Sequence, residues 1–280
     1  MSDQDEIRKS VSDAYGQAIK KPADKGCCSG SGTFSSMAGY SAEELAALPK
    51  DAVGNSFGCG NPLAMSEVRE GETVLDLGSG GGIDLILAAK KVGPQGKVIG
   101  VDMTDDMLAL CRKNIAASGL QNIEARKGII EKLPVDSNSV DLVISNCVLN
   151  LSPEKDRVFK EIFRVLKPGG RILVSDIVAK DLPAWAVINQ NLYNSCVAGA
   201  ISEEDYLQGL AKAGLKNAAV RDRLIYDAAM LQSFLTPKLS DEGASCSCCA
   251  PPALSDSARE KITAQLAGKI WSAKIYAQKP

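Results

Sequence analysis

Apolar residues recur at helical spacing from Asp5 to Lys21, with Ile7, Val11, Ala14, Tyr15 and Ala18 on one side, and predict an amphipathic helix. The period is lost over residues 22–40, where proline, glycine and serine crowd around the pair Cys27-Cys28, and a loop is expected. Ser41 stands where a helix cap belongs, ahead of AEELAAL, with Glu43 and Glu44 in the first turn, where the helix dipole favours acids. Asn55 to Pro62, NSFGCGNP, is turn chemistry.

From Glu72 onward short apolar runs alternate with helical patterns. Strands are expected at 73–78, 97–103, 122–128, 141–149 and 170–178, and helices at 83–92, 104–119 and 153–166. Alternation of this kind needs crossover connections, so the fold class is α/β, a doubly wound, Rossmann-like and mainly parallel sheet with helices on both faces. After Lys180 the pattern loosens. Helices are expected at Ala184 to Cys196 and Glu203 to Ala213, a strand at 218–226, a Ser-Cys-Pro segment around 245–252, and a closing strand at 269–278 that suits a late antiparallel edge. The chain divides into an N-terminal helix and loop extension (1–70), a nucleotide-type central segment (71–180) and a C-terminal α+β segment (181–280) with a Cys-rich loop at 244–252.

Composition narrows the chemistry. The 280 residues are 45% hydrophobic and 24% charged with a formal net charge of −2, which describes a folded chain and offers no excess of Lys and Arg for a nucleic-acid backbone. The start MSDQDEIRKSVSD is polar and no apolar run reaches the roughly 20 residues of a membrane helix, so a cytoplasmic protein without a membrane partner is expected. Histidine is absent, which excludes Ser-His-Asp and Cys-His pairs and HExxH metal sites. Nine cysteines remain, expected mostly as thiols available for ligation or nucleophilic work.

A glycine loop joins the first strand to its helix. In VLDLGSGGGID the glycines Gly78, Gly80 and Gly82 let backbone approach a ligand closely. A dinucleotide fingerprint would place its third glycine at residue 83, which is Ile, so a nicotinamide cofactor is disfavoured. Asp76 sets a carboxylate at the strand end that a pyrophosphate would repel and an ammonium group would attract. Asp102, at the tip of the next strand, lies where ribose hydroxyls would be bound.

DLGSGGG at 76–82 and VDM at 101–103, reinforced by GIIEKLP at 128–134 and RVLKPGGRILVSD at 164–176, resemble the class I S-adenosylmethionine-dependent methyltransferases over roughly residues 72–178. The resemblance implies S-adenosylmethionine as cofactor. Gly78 to Gly82 would pass beside its amino-acid half, Asp102 would take the ribose hydroxyls, Met103 would pack on adenine, and Ile130 and Glu131 would lie at the adenine edge.

The cysteines bear on the acceptor. Cys147 follows the strand DLVISN at the carboxyl end that faces a ligand crevice in open α/β sheets, Cys59 lies in the NSFGCGNP turn, and Cys196 in LYNSCVAGAIS. With their flanks, and with Tyr15-Gly16 and the Cys27-Cys28 loop, these segments resemble the arsenite methyltransferases over most of residues 5–215. One departure is that animal members carry a tyrosine pair before GCG where Ser56-Phe57 stand here. The resemblance implies arsenite, or its thiol conjugates, as substrate and a thiol reductant, thioredoxin-like or small, as partner.

Trivalent arsenic is a soft centre that prefers thiolate sulfur, so Cys59, Cys147 and Cys196 are its expected ligands, and a site without histidine suits it. Cys27 and Cys28 would either supply electrons through a disulfide or capture arsenite at the mouth. Cys246, Cys248 and Cys249 form a C-x-C-C cluster suited to local capture of a soft ion, and without a second spaced pair it is a weak zinc signal. Cys111, on the apolar face of its helix, is expected to be a small buried hydrophobe. Two other functions compete: methylation of a small organic, thiol or corrinoid acceptor, and a thiol-rich arsenite- or metal-binding protein. The intact glycine loop and both acids argue against the second.

Overall fold

The run TVLDL is buried on both sides after Thr73, as a strand covered on both faces must be, and it becomes the centre of the sheet. The computed structural model describes residues 3–20, 40–46, 48–49, 52, 61–64, 67–226, 230–231 and 256–280. Helices α1 (Asp3–Lys20) and α2 (Ala42–Ala46) and a 3₁₀ turn (Pro62–Ala64) precede it. Then come β1 (Thr73–Leu77), α3 (Ile83–Val92), β2 (Lys97–Asp102), α4 (Asp105–Ser118), β3 (Ile123–Lys127), β4 (Val140–Asn146), α5 (Lys155–Val165) and β5 (Leu166–Ala179). The remainder is α6 (Ala184–Val187), α7 (Gln190–Asn194), α8 (Glu203–Lys212), β6 (Lys216–Ile225), α9 (Asp256–Leu266) and β7 (Ile270–Gln278).

Among the described residues the strands form one seven-stranded sheet in the order β3-β2-β1-β4-β5-β7-β6. The pairs from β3 to β5 are parallel, and β7 runs antiparallel to both β5 and β6. This is the doubly wound α/β arrangement the alternation predicted. Successive side chains of β1 feed opposite faces: Val74 packs with Ile86, Val98 and Leu142, and Leu75 and Leu77 pack with Val143, Phe159 and Ile162. Both C-terminal strands continue the same sheet, so its edge lies beyond residue 180.

Three expectations are corrected. The closing strand is not an edge, because β6 pairs on its far side; this is why its alternation is blurred and Ile270, Ser272, Ala273, Ile275 and Ala277 are all buried. The helix expected over Ala184 to Cys196 is two short helices, and the Asn189 side chain caps the second by accepting from Leu192 N at 2.9 Å. The fourth strand stops at Asn146, since Cys147 has φ 61° and leaves the ladder. Helix α9 was not expected from the sequence. The residues 22–39 and 245–252 lie outside the described residues, as do Cys27, Cys28, Cys59, Cys246, Cys248 and Cys249.

Candidate active site

The sheet order reverses between β1 and β4, one side leading to β2 and the other to β5, and a crevice opens at the carboxyl ends of these strands. The glycine loop forms its floor. Gly78 N and Ser79 N both donate to Val101 O, at 2.8 and 3.1 Å, which ties the loop to β2. Gly78 has φ +69°, and a Cβ there would stand 2.4 Å from Val148 Cγ2; Gly80 has φ +50° and faces open space. The cleft is lined by Asp76, Gly78, Gly80, Asp102, Met103, Ile130, Glu131 and Cys147, among others.

Asp102 is held rigidly. Its Oδ2 accepts from Gly80 N at 2.9 Å and its Oδ1 from Thr104 N at 2.8 Å, so one carboxylate fixes both the glycine loop and the start of α4. Asp76 is buried, and burial together with the charges of Asp84 and Asp102 holds its carboxyl well above the ordinary range. Asp84, which sequence reasoning did not single out, joins them. Tyr40 donates from its hydroxyl to Asp84 Oδ1 at 2.8 Å, Asn146 Nδ2 reaches Oδ2 at 3.4 Å, and burial pushes the Asp84 carboxyl up to about 6. Its signal was an acid in the first turn of α3 immediately after the glycine loop.

Helix α1 covers one side of the cleft. Arg8, also absent from the sequence-based candidates, donates from Nε to Glu131 Oε1 at 3.2 Å and pairs with Glu154, and Ser152 Oγ donates to the same Glu131 oxygen at 2.6 Å. Glu131 is therefore a buried, anchored carboxylate.

The structure brings Cys147 and Cys196 together. Cys147 follows β4 with its N–H on Ser175 O at 2.8 Å, and the Cys196 thiol donates to Cys147 O at 2.6 Å. Both are buried, and both are non-glycine residues in the left-handed region, with φ 61° and 64°. Asn150 ties the Cys196 turn to β5: its Nδ2 faces Asp176 Oδ1 at 2.8 Å, Ile177 O at 2.6 Å and Cys196 O at 3.2 Å. Burial pushes Asp176, behind Asn150, up to about 7. Cys147 is disulfide-bonded, whereas Cys111 and Cys196 are thiols. Cys111 is a core residue beneath Gly82, its thiol pushed up to about 12 by burial. Among the described residues no group of three or more His, Cys, Asp or Glu is placed to hold a metal ion, and no helix is long and apolar enough to cross a membrane.

Residues 69–214 match a family model described as a methyltransferase domain. The chain is 46% identical over 196 residues to an arsenite methyltransferase of Halobacterium salinarum, covering 69% of this chain and 50% of that protein. With the arsenite methyltransferase of Aquipseudomonas alcaligenes it is 34% identical over 248 residues, covering 84% and 69% respectively. Among solved structures, an arsenic(III) S-adenosylmethionine methyltransferase from Chlamydomonas reinhardtii superposes with a TM-score of 0.66 at 30% identity, covering 85% of this chain and 72% of that one. The chain thus spans half the length of the Halobacterium relative.

Sheet order, glycine loop and paired acids define a class I, S-adenosylmethionine-dependent methyltransferase domain. Within that class the chain belongs to the arsenite methyltransferase family. The cleft fits the cofactor on its own evidence. Asp76, Asp84 and Asp102 face one cavity, burial pushes all three carboxyls upward, and a sulfonium bearing an ammonium group would relieve that. Ser79, which lines the same cavity, is buried.

Proposed function

We propose that the chain transfers methyl groups from S-adenosylmethionine to trivalent arsenic held by cysteine thiolates. The observation that carries this reading is the pair Cys147 and Cys196, joined by a 2.6 Å contact on two left-handed turns beside the acid-lined cleft. Left-handed backbone held at both cysteines supports a thiol site built into the fold.

In this reading Asp76 takes the cofactor's ammonium and Asp102 its ribose hydroxyls. Gly78, Gly80 and Gly82 let backbone pass close to its amino-acid half, while Met103 and Ile130 flank adenine and Glu131, fixed by Arg8 and Ser152, closes that end. Bound there, the cofactor supplies an electrophilic methyl on a sulfonium sulfur. Cys59, Cys147 and Cys196 displace the hydroxyls of arsenite; each sulfur–arsenic bond forms as an arsenic–oxygen bond breaks, and the thiol proton leaves with the oxygen as water. With the cofactor bound, the arsenic lone pair would be the acceptor of that methyl, the electron pair of the broken methyl–sulfur bond remaining on sulfur. No general base is needed, because the attacking atom carries no proton. The chain's contribution is position, which supplies about 7–11 kcal/mol in well-oriented systems.

Transfer oxidises arsenic to the pentavalent state, and a thiol pair that closes to a disulfide returns two electrons. Cys147 is disulfide-bonded and serves as a ligand only once reduced, which supports a thiol reductant, thioredoxin-like or small, as partner. Cys27 and Cys28 either supply these electrons or capture arsenite at the mouth, and Cys246, Cys248 and Cys249 capture or deliver it. A reducing compartment such as the cytoplasm suits a site that works as thiolates.

The test is mass spectrometry of products from purified protein, methyl-labelled S-adenosylmethionine, arsenite and a dithiol. Labelled methylarsenic is expected. Labelled methyl only on an organic or thiol acceptor would overturn the reading.

A further inference from the structure

We infer that Tyr15 of the N-terminal helix is a positioning residue for the Cys196 sulfur, supplying the hydrogen-bond donor that this sulfur needs once it has bound arsenic; the inference rests on the thiolate reading above. Helix α1 is fixed to the cofactor side of the cleft by Arg8 on Glu131 at 3.2 Å, Ser12 Oγ on Thr104 Oγ1 at 3.3 Å and Lys20 on Asp106 at 2.7 Å. Its Tyr15 ring lines that cleft together with Asp102, Met103 and Cys147, and packs against the apolar cluster that contains both cysteines. The hydroxyl donates to Asn194 O at 3.2 Å, two residues before Cys196, and lies within reach of the Cys196 sulfur.

The proton inventory then decides what Tyr15 does. As a thiol, Cys196 gives its single proton to Cys147 O at 2.6 Å, and Tyr15 gives its own to Asn194 O. Arsenite binding removes the thiol proton, which departs with an arsenic oxygen as water. The sulfur becomes an acceptor only, and facing the Cys147 carbonyl is now unfavourable. Tyr15 is the hydroxyl donor already in contact, and turning its O–H from Asn194 O to the sulfur holds that sulfur on the cleft side. Because the same helix is clamped to Thr104, Asp106 and Glu131, the donor is in place when the cofactor side is ordered.

Tyr15→Phe removes one oxygen and keeps the ring, so the fold is preserved. With protein reduced by a phosphine, the readouts are the arsenite concentration for half-maximal rate and the S-adenosylmethionine Kd by calorimetry, with Cys196→Ser measured in parallel. Tyr15→Phe is expected to raise the arsenite requirement about 3- to 10-fold, the worth of one hydrogen bond, and to leave cofactor Kd within about twofold. An unchanged arsenite requirement in Tyr15→Phe, with Cys196→Ser impaired, would overturn the inference while the thiolate reading stands. Equal loss of cofactor affinity would also overturn it, by making Tyr15 a general support of the cleft. If Cys196→Ser itself kept full arsenite affinity, the thiolate reading would have failed and this inference with it.

Discussion

At the scale of single residues the cleft is a problem of buried negative charge. Asp84 is 5% exposed and its carboxyl is pushed up to about 6, first by burial and against the hydrogen bonds from Tyr40 and Asn146. An acid whose folded pKa is raised binds its proton more tightly in the fold than in the unfolded chain. Stability of the unliganded protein from this group therefore falls as pH rises from the unfolded value near 4 to about 6. A cationic ligand reverses the preference by favouring the ionised carboxylate. S-adenosylmethionine affinity is thus expected to climb with pH through about 6, and to weaken below it by up to about tenfold per pH unit for this carboxylate. Calorimetry between about pH 5 and 8 checks it, and Asp84→Asn should flatten the profile. A profile in the parent protein that is already flat would remove Asp84 from the neighbourhood of the cation.

At the scale of elements the glycine loop separates a packing requirement from a ligand requirement. An alanine at residue 78 drives its methyl into Val148 in the turn after Cys147, while one at residue 80 meets nothing within 4 Å. Gly78→Ala is expected to lose about 2–4 kcal/mol of unfolding free energy from overpacking and left-handed strain. Gly80→Ala should lose about 1–2 kcal/mol from strain alone, yet bind S-adenosylmethionine far more weakly because its methyl points into the cleft. Denaturant unfolding beside calorimetry distinguishes them, and equal stabilities would contradict the packing assigned to Gly78. The elements over 73–178 were legible because parallel strands are nearly continuous apolar runs punctuated by glycine turns. The break at residues 188–189 was not, since an asparagine side chain restarts the helix there through a bond that periodicity does not register. Helix α9 offers few large apolar residues beyond Ile262 and Leu266, too weak a stripe to read. That β7 inserts between β5 and β6 depends on pairing partners, which a single strand's pattern does not carry.

At the scale of the whole molecule the site is assembled from segments distant in the chain: α1, the glycine loop, the ends of β2 and β4, and the turn after α7. Asp76, Asp102 and the glycines were legible as candidates because they lie within one strand–turn–helix–strand stretch. Arg8, Asp84, Asn150 and Asp176 were not, because their importance comes from long-range partners such as Glu131, Tyr40 and Cys196. The two cysteines were found from their flanks, but their adjacency is a product of the fold. On that adjacency rests the central proposal, that Cys147 and Cys196 hold the acceptor and leave the cofactor to other residues. Reduced Cys147→Ser and Cys196→Ser proteins, given labelled S-adenosylmethionine and arsenite, are predicted to bind the cofactor within about twofold of the parent and to yield no methylated arsenic. Methylarsenic at the parent rate from both variants would contradict the account.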